Sequence, residues 1–180
     1  LGYVAAKDPA LSERLLTLAV TMGLTPSPFD CWLAERGLYS FDLRYDRSTS
    51  TAARLGDALA VMPRVVRVLY PTRADHPDHN RSVSLLGGEG GHMVSFEIEG
   101  GRAAANAFVR AAEGLNFAPT LGDVATTISH PATSSHRALT SEARAALGIS
   151  EGFFRISVGC EEPTALVATF ETALRAAHAR

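Results

Sequence analysis

Near the end of this chain an arginine interrupts an apolar run, Phe153-Phe154-Arg155-Ile156-Ser157-Val158. A guanidinium is well suited to gripping a carboxylate, because its planar fork can place two parallel charge-assisted hydrogen bonds on the two oxygens. The residue type alone allows two roles. Arg155 either pairs with an internal acid, such as Glu161, Glu162 or a helix carboxylate, or binds the carboxylate of a small molecule. A charge in a strand interior is unexpected, and the residues by themselves leave both readings open.

Other side chains of chemical interest have plainer readings. His130 and His136 lack a third metal ligand nearby, so structural hydrogen bonding is expected of them. His76 and His79 read as helix-entry and surface residues. Gly87–Gly91 lacks both the P-loop lysine and the dinucleotide fingerprint spacing, and reads as a turn before a strand. Ser27 has no GxSxG elbow and reads as a helix cap. Cys31 and Cys160 form no CxxC pair, which argues for a reducing compartment and against a disulfide framework or thiolate zinc site. Cys31 is expected to be a buried small hydrophobe beside the core residues Phe29, Trp32 and Leu33.

The cations impose a sharper constraint. Of 17 Lys and Arg residues, a single one, Lys7, is lysine. Chemistry that needs a lysine amine must use Lys7 or lie beyond this chain alone. Lys7 itself reads as a solvated residue before the Asp8-Pro9 turn.

Composition bounds the partners. With 180 residues, 46% hydrophobic and 20% charged, the chain can bury a substantial core. A net charge of −2 gives no basic footprint for nucleic acid or an anionic membrane surface. The apolar run Leu15–Val20 is too short to span a bilayer, and nothing at the start resembles a signal peptide. The cytoplasm is the expected location.

The elements that must position Arg155 follow from periodicity. Leu1–Ala6 reads as an apolar strand that starts at the first residue, so truncation, proteolysis or further upstream sequence is expected. Helices are predicted over Ala10–Met22, Phe29–Arg36 with Gly37 as its stop, Ser50–Met62, Arg102–Ala112, Ser141–Leu147 and Pro163–Ala177. Strands are predicted over Val65–Tyr70, His92–Ile98 and Gly152–Val158, with Leu115–Pro119 and Val124–Ile128 as short ones and Tyr39–Leu43 extended. From Val65 onward strands alternate with helices. The predicted class is α/β, in detail an α+β arrangement with helices covering one face of a sheet.

Four stretches together carry a family resemblance. Ser27-Pro28-Phe29-Asp30 with Leu33, Arg36-Gly37-Leu38 resembles the SPFDxxLxxRGL segment of the pyridoxal-phosphate (PLP) dependent trans-sulfuration enzymes of cysteine and methionine metabolism. Tyr70-Pro71 with His76-Pro77 and His79 is similar to their YPGLxxHPxH stretch. Leu121-Gly122-Asp123 followed by Ser129-His130-Pro131-Ala132 and Ser135-His136 looks like their SLGxxxSLxxHPAxxTH loop, and Phe154–Gly159 like their xRLSVGxE strand. The blocks occur in the family's order and cover nearly the whole chain.

The resemblance implies a fold-type I small domain over 46–180, with 1–45 as the C-terminal remnant of the large PLP-binding domain. It implies that the Schiff-base lysine, phosphate loop and pyridinium-facing aspartate all lie upstream of this chain. Arg155 then corresponds to the substrate-carboxylate arginine, and Thr120 to a serine near the lysine and that carboxylate. Arg44 and Arg47 resemble an arginine pair entering the long helix. Family members that handle cystathionine often carry an acid where this chain has Pro119, which puts cystathionine in doubt and favours a smaller or less polar sulfur substrate. The implied whole is a carbon–sulfur lyase or γ-replacement enzyme of cystathionine lyase or synthase, methionine γ-lyase or sulfhydrylase type. Its implied partners are PLP, a sulfur-containing or acylated amino acid, the missing N-terminal half, and further copies in a homodimer or homotetramer. This chain alone is expected to be inactive. The alternative is a non-catalytic module that binds an amino acid or a partner chain.

Overall fold

The computed structural model describes residues 2–178, which form two compact units, one ending at Asp42 and the other beginning at Leu43. In the first unit, α1 (Pro9–Thr21) starts where the Asp8 carboxylate accepts the Ala10 N–H at 3.0 Å. The second helix, α2 (Pro28–Leu38), opens with a reciprocal capping box. Asp30 N donates to Ser27 Oγ at 3.1 Å, and Ser27 N donates to Asp30 Oδ2 at 3.2 Å. The Ser27 hydrogen bonds hold the Asp30 carboxyl below its usual range.

Several expectations fail in this unit, each for a physical reason. Residues 2–6 form no strand, because a strand needs a neighbour for its N–H and C=O groups and none pairs with them here. Gly37 does not stop α2, since it does not adopt the left-handed conformation of a helix-ending glycine. Tyr39–Leu43 is not extended: α3 already begins at Phe41. Cys31, Phe29, Trp32 and Leu33 are exposed rather than core, and no residue from 2 to 47 is buried.

The second unit has the core. Helix α3 (Phe41–Val61) buries Ser48, Thr51, Ala52, Leu55, Gly56 and Leu59, positions three and four apart that share one helical face. The strands β1 (Val65–Leu69), β2 (Met93–Ile98), β3 (Asn116–Phe117), β4 (Thr127–Ser129) and β5 (Phe153–Ser157) make one sheet in the order β1-β2-β5-β4-β3. All neighbours are antiparallel except β3 and β4. Helix α4 (His79–Leu86), which the turn-rich sequence concealed, ends at left-handed Gly87. The remaining helices are α5 (Gly101–Ala111), α6 (Ser141–Ala146) and α7 (Pro163–Ala177).

Strand alternation divides the sheet into two faces. Val94, Phe96, Ile98, Phe154 and Ile156 are buried with Ala105 and Phe108 of α5 and Phe170 and Ala173 of α7. Four phenylalanines interlock there: Phe108 and Phe154 lie 4.9 Å apart, Phe96 and Phe154 5.3 Å, and Phe96 and Phe170 6.0 Å between ring centroids. Edge-on and offset packing of this kind adds to the burial itself, which contributes about 1.5–3 kcal/mol per large apolar side chain. The architecture is the predicted α/β one, with helices packed on the apolar face of the sheet. The opposite face carries the polar residues.

Candidate functional site

Arg155 projects from the polar face. Its neighbours Phe154 and Ile156 point into the core, so period-two alternation sends the guanidinium the other way. The register places it between Ser95 on β2 and Ser129 on β4, with Leu69 of β1 beyond Ser95. One pair further along the same face is the row Met93, Ser157 and Thr127. In the other direction is the row Arg67, Glu97 and Phe153.

Those flanking rows are tied down and the Arg155 row is not. Arg67 Nε donates to Glu97 at 2.7 Å and Arg67 Nη2 to the Gly148 carbonyl at 2.6 Å, while its guanidinium lies 5.6 Å from the Phe153 ring centroid. On the other side, Gly122 N donates to Ser157 Oγ at 2.9 Å and Thr127 Oγ1 to the Thr120 carbonyl at 3.3 Å. The Arg155 guanidinium forms no hydrogen bond or ion pair with any described residue.

The two acids that follow Arg155 in sequence are engaged elsewhere. Glu161 accepts from Thr126 with both oxygens, from the backbone N–H and, at 2.7 Å, from the hydroxyl. Glu162 caps α7, accepting the Ala165 N–H at 2.7 Å, and these backbone donors at the helix start hold its carboxyl below the usual range. Neither carboxylate forms an ion pair with Arg155. The internal-pair reading of Arg155 therefore finds no partner among the described residues.

Thr120 lies in the loop after β3, with its side chain exposed and its carbonyl fixed by Thr127. Because Thr127 and Ser129 share a face, that loop runs beside the Arg155 row, one residue pair away along β4. The geometry brings Thr120 to the same sheet face as Arg155, with no hydrogen bond between the two side chains.

The strand that carries Arg155 is clamped at both ends. Gly152 and Gly159 sit where an added Cβ would run into backbone, Ile98 O and Val124 O respectively, so only glycine permits these approaches. Just before β5, Glu151 is bound by both Arg102 and Arg144, the latter at 2.6 Å, and these partners, Arg144 foremost, hold its carboxyl below the usual range. The carbonyl of Glu151 meets His130 Nε2 at 2.9 Å, while His130 Nδ1 meets Thr133 Oγ1 at 2.9 Å. Burial pushes the His130 imidazole below the usual histidine range. His130 is thus a structural hydrogen-bonding residue that braces β4 against the start of β5.

The other candidates disperse. His136 meets Ser135, and His76 Nδ1 accepts the Asp78 N–H at 3.1 Å. Gly87 ends α4, and Gly90 lies so close to Tyr70 that a side chain has no room. Among the described residues no cluster of three His, Cys, Asp or Glu side chains forms a metal site. Lys7 is exposed in the stretch before α1. Sequence reasoning missed Ser95 and Ser129, whose relation to Arg155 depends on strand register. It also missed the Thr126–Glu161 clamp, whose two residues lie 35 positions apart.

Comparison with known proteins adds an independent line. Residues 1–175 match the family model described as Cys/Met metabolism PLP-dependent enzyme. The chain is 38% identical over 174 residues to cystathionine beta-lyase of Bacillus subtilis, covering 97% of this chain and 44% of that protein. It is 37% identical over 161 residues to O-succinylhomoserine sulfhydrylase of Pseudomonas aeruginosa, 89% of this chain and 40% of that protein. Among solved structures, cystathionine gamma synthase of Xanthomonas oryzae in complex with cystathionine superposes with a TM-score of 0.86 at 38% identity, over 97% of this chain and 45% of that one. The chain spans less than half the length of each.

Proposed function

Because this chain belongs to the Cys/Met metabolism PLP-dependent enzyme family, we propose that it forms the substrate-gripping part of a carbon–sulfur lyase or γ-replacement enzyme acting on sulfur amino acids. The observation that carries the reading is the unpaired guanidinium of Arg155 on the polar sheet face, with Glu151 paired to Arg102 and Arg144, Glu161 bonded to Thr126 and Glu162 at the α7 cap.

The family is PLP-dependent, yet the described residues of this chain do not fit a seat for that cofactor. The sequence's one lysine is the exposed Lys7, and no lysine accompanies Arg155 on its sheet face. The cofactor's seat is assigned to the PLP-binding portion with which this chain works, and the chain's own share is binding and orientation. Arg155 takes the substrate's α-carboxylate in a two-point grip, which sets the orientation of the bonds at Cα. Ser95 and Ser129 flank that grip, and the Thr120 loop borders it. Pro119 provides no charge for a distal ammonium group, so the preferred substrate is smaller or less polar than cystathionine.

The proposed division is 1–45 as the end of a large PLP-binding domain and 46–180 as the small substrate-clamping domain. The proposed assembly is a homodimer or homotetramer in the cytoplasm. No described helix is long and apolar enough to cross a membrane. Alone, the chain is inactive.

The test is 2-oxo acid formation from methionine, cysteine, cystathionine and acylated homoserine. The chain alone gives none, and the PLP-loaded assembly containing it turns over at least one of them. An assembly with no PLP absorbance band and no product points instead to a non-catalytic amino-acid-binding module, a reading favoured only by the solitary exposed Lys7.

A further inference from the structure

Helix α3 passes into β1 through Met62-Pro63-Arg64, and Arg64 adopts φ +65°, the one non-glycine residue in the left-handed region among those described. A bulky L side chain is disfavoured there. Such outliers persist where their surroundings over-determine them, and ligand clamps are among those places. Here the Arg64 carbonyl accepts the Glu99 N–H at 2.9 Å, which fixes the turn.

The Arg64 side chain lines a cavity of about 250 Å3 between this turn and the end of α7. The wall is apolar at Met62, Pro63 and Leu174, cationic at Arg64 and Arg175, and acidic at Glu171. Arg175 is held by Glu171, four residues earlier on the same helix, at 3.3 Å. Arg64 has no ion pair with any described residue. His178 completes the lining. Its Nε2 is shielded from water and has no hydrogen-bond partner among the described residues. Burial, and after it the charge of Arg64, holds the His178 imidazole below the usual histidine range. A shielded nitrogen without a partner is an unfavourable state that a bound polar group relieves.

We infer that this cavity binds a small organic anion, its carboxylate between Arg64 and His178 and a short apolar body against Met62, Pro63 and Leu174. Its volume lies below the roughly 300–1,000 Å3 of sites for drug-sized molecules, which limits the occupant to the size of a short-chain acid or an amino acid. None of its residues belongs to the Arg155 row, so the inference stands apart from the proposed function.

Hexanoate serves as the probe, titrated calorimetrically into the chain carrying Arg155→Ala so that the sheet-face arginine cannot bind it. Saturable binding is expected, with n-hexanol at least about tenfold weaker because it lacks the charge that pairs with the guanidinium. Arg64→Gly removes the guanidinium and relieves the left-handed backbone, so it should weaken hexanoate binding about tenfold or more while leaving the melting temperature unchanged or raised. His178→Phe keeps the ring's bulk and removes the nitrogen, and should also weaken binding. Absence of saturable binding, equal binding of hexanol, or full affinity in either cavity variant would overturn the inference.

Discussion

Glu161 holds Thr126 with both of its carboxylate oxygens, one on the backbone N–H and one, at 2.7 Å, on the hydroxyl. The same hydroxyl accepts the Gly159 N–H at 2.9 Å. This arrangement fastens the entry to β4 onto the exit of β5, and it engages away from Arg155 the first acid that follows it in sequence. Glu161 and Arg155 therefore differ in kind: the first is part of the scaffold, and the second is left available for a ligand.

That difference predicts opposite stability effects. Glu161→Ala leaves the buried Thr126 N–H without its acceptor and should cost about 1–3 kcal/mol. Arg155→Ala breaks no internal bond and should stay within about 0.5 kcal/mol of the parent. Urea denaturation of the two variants checks both, and a large loss in Arg155→Ala would mean that the guanidinium has an internal structural role.

The Glu151 bridge predicts an acid-sensitive contribution. Its folded carboxyl is held below the ordinary 4.5, chiefly by Arg144 and then by Arg102. A depressed acid stabilises the fold above its unfolded value, and that contribution is lost as pH falls through the folded value. The melting-temperature gap between the parent and Glu151→Gln should be full at neutral pH and close progressively below about pH 4.5. A gap independent of pH would contradict the bridge.

Tyr70 gives the alkaline counterpart. Burial, foremost, pushes its phenol up to about 12, and its hydroxyl donates to the Gly91 carbonyl at 3.0 Å. Because the folded value is raised, the stabilisation is complete below the unfolded value near 10 and is lost as pH rises toward about 12. In an absorbance titration at 295 nm, Tyr70 should remain un-ionised near pH 11, and Tyr70→Phe should remove the step near pH 12.

Gly159 is required by close approach rather than by backbone angle. A methyl group there meets the Val124 carbonyl and the Thr126 nitrogen. Gly159→Ala should therefore cost about 1–3 kcal/mol in chemical denaturation, as overpacking does. A neutral result would show that the β4 entry can yield.

Much of this was legible in the sequence, and the limits are instructive. Helix α7 was predicted over Pro163–Ala177 and forms there, because Pro163 and the apolar spacing mark it locally. Helix α4 was missed because His79-Asn80-Arg81-Ser82 offers no apolar stripe, and Gly37 was misread because a glycine stops a helix only when the chain turns left-handed there. Arg155 stood out as a charge in an apolar strand. Its neighbours Ser95 and Ser129 could not, since register is decided by pairing across the sheet. The committed state of Glu161 depends on a contact with Thr126, 35 positions away, and sequence proximity to Arg155 pointed the wrong way.

The central claim is that Arg155 grips the α-carboxylate of the substrate amino acid. The direct measurement is kcat/KM of Arg155→Lys and Arg155→Ala in the PLP-loaded assembly containing this chain, with melting temperature recorded alongside. Loss of a two-point charged grip predicts a fall on the order of 10²–10³-fold for Ala, carried substantially by KM, with lysine restoring only part of it and the melting temperature unchanged. Parental kcat/KM in both variants would contradict the account.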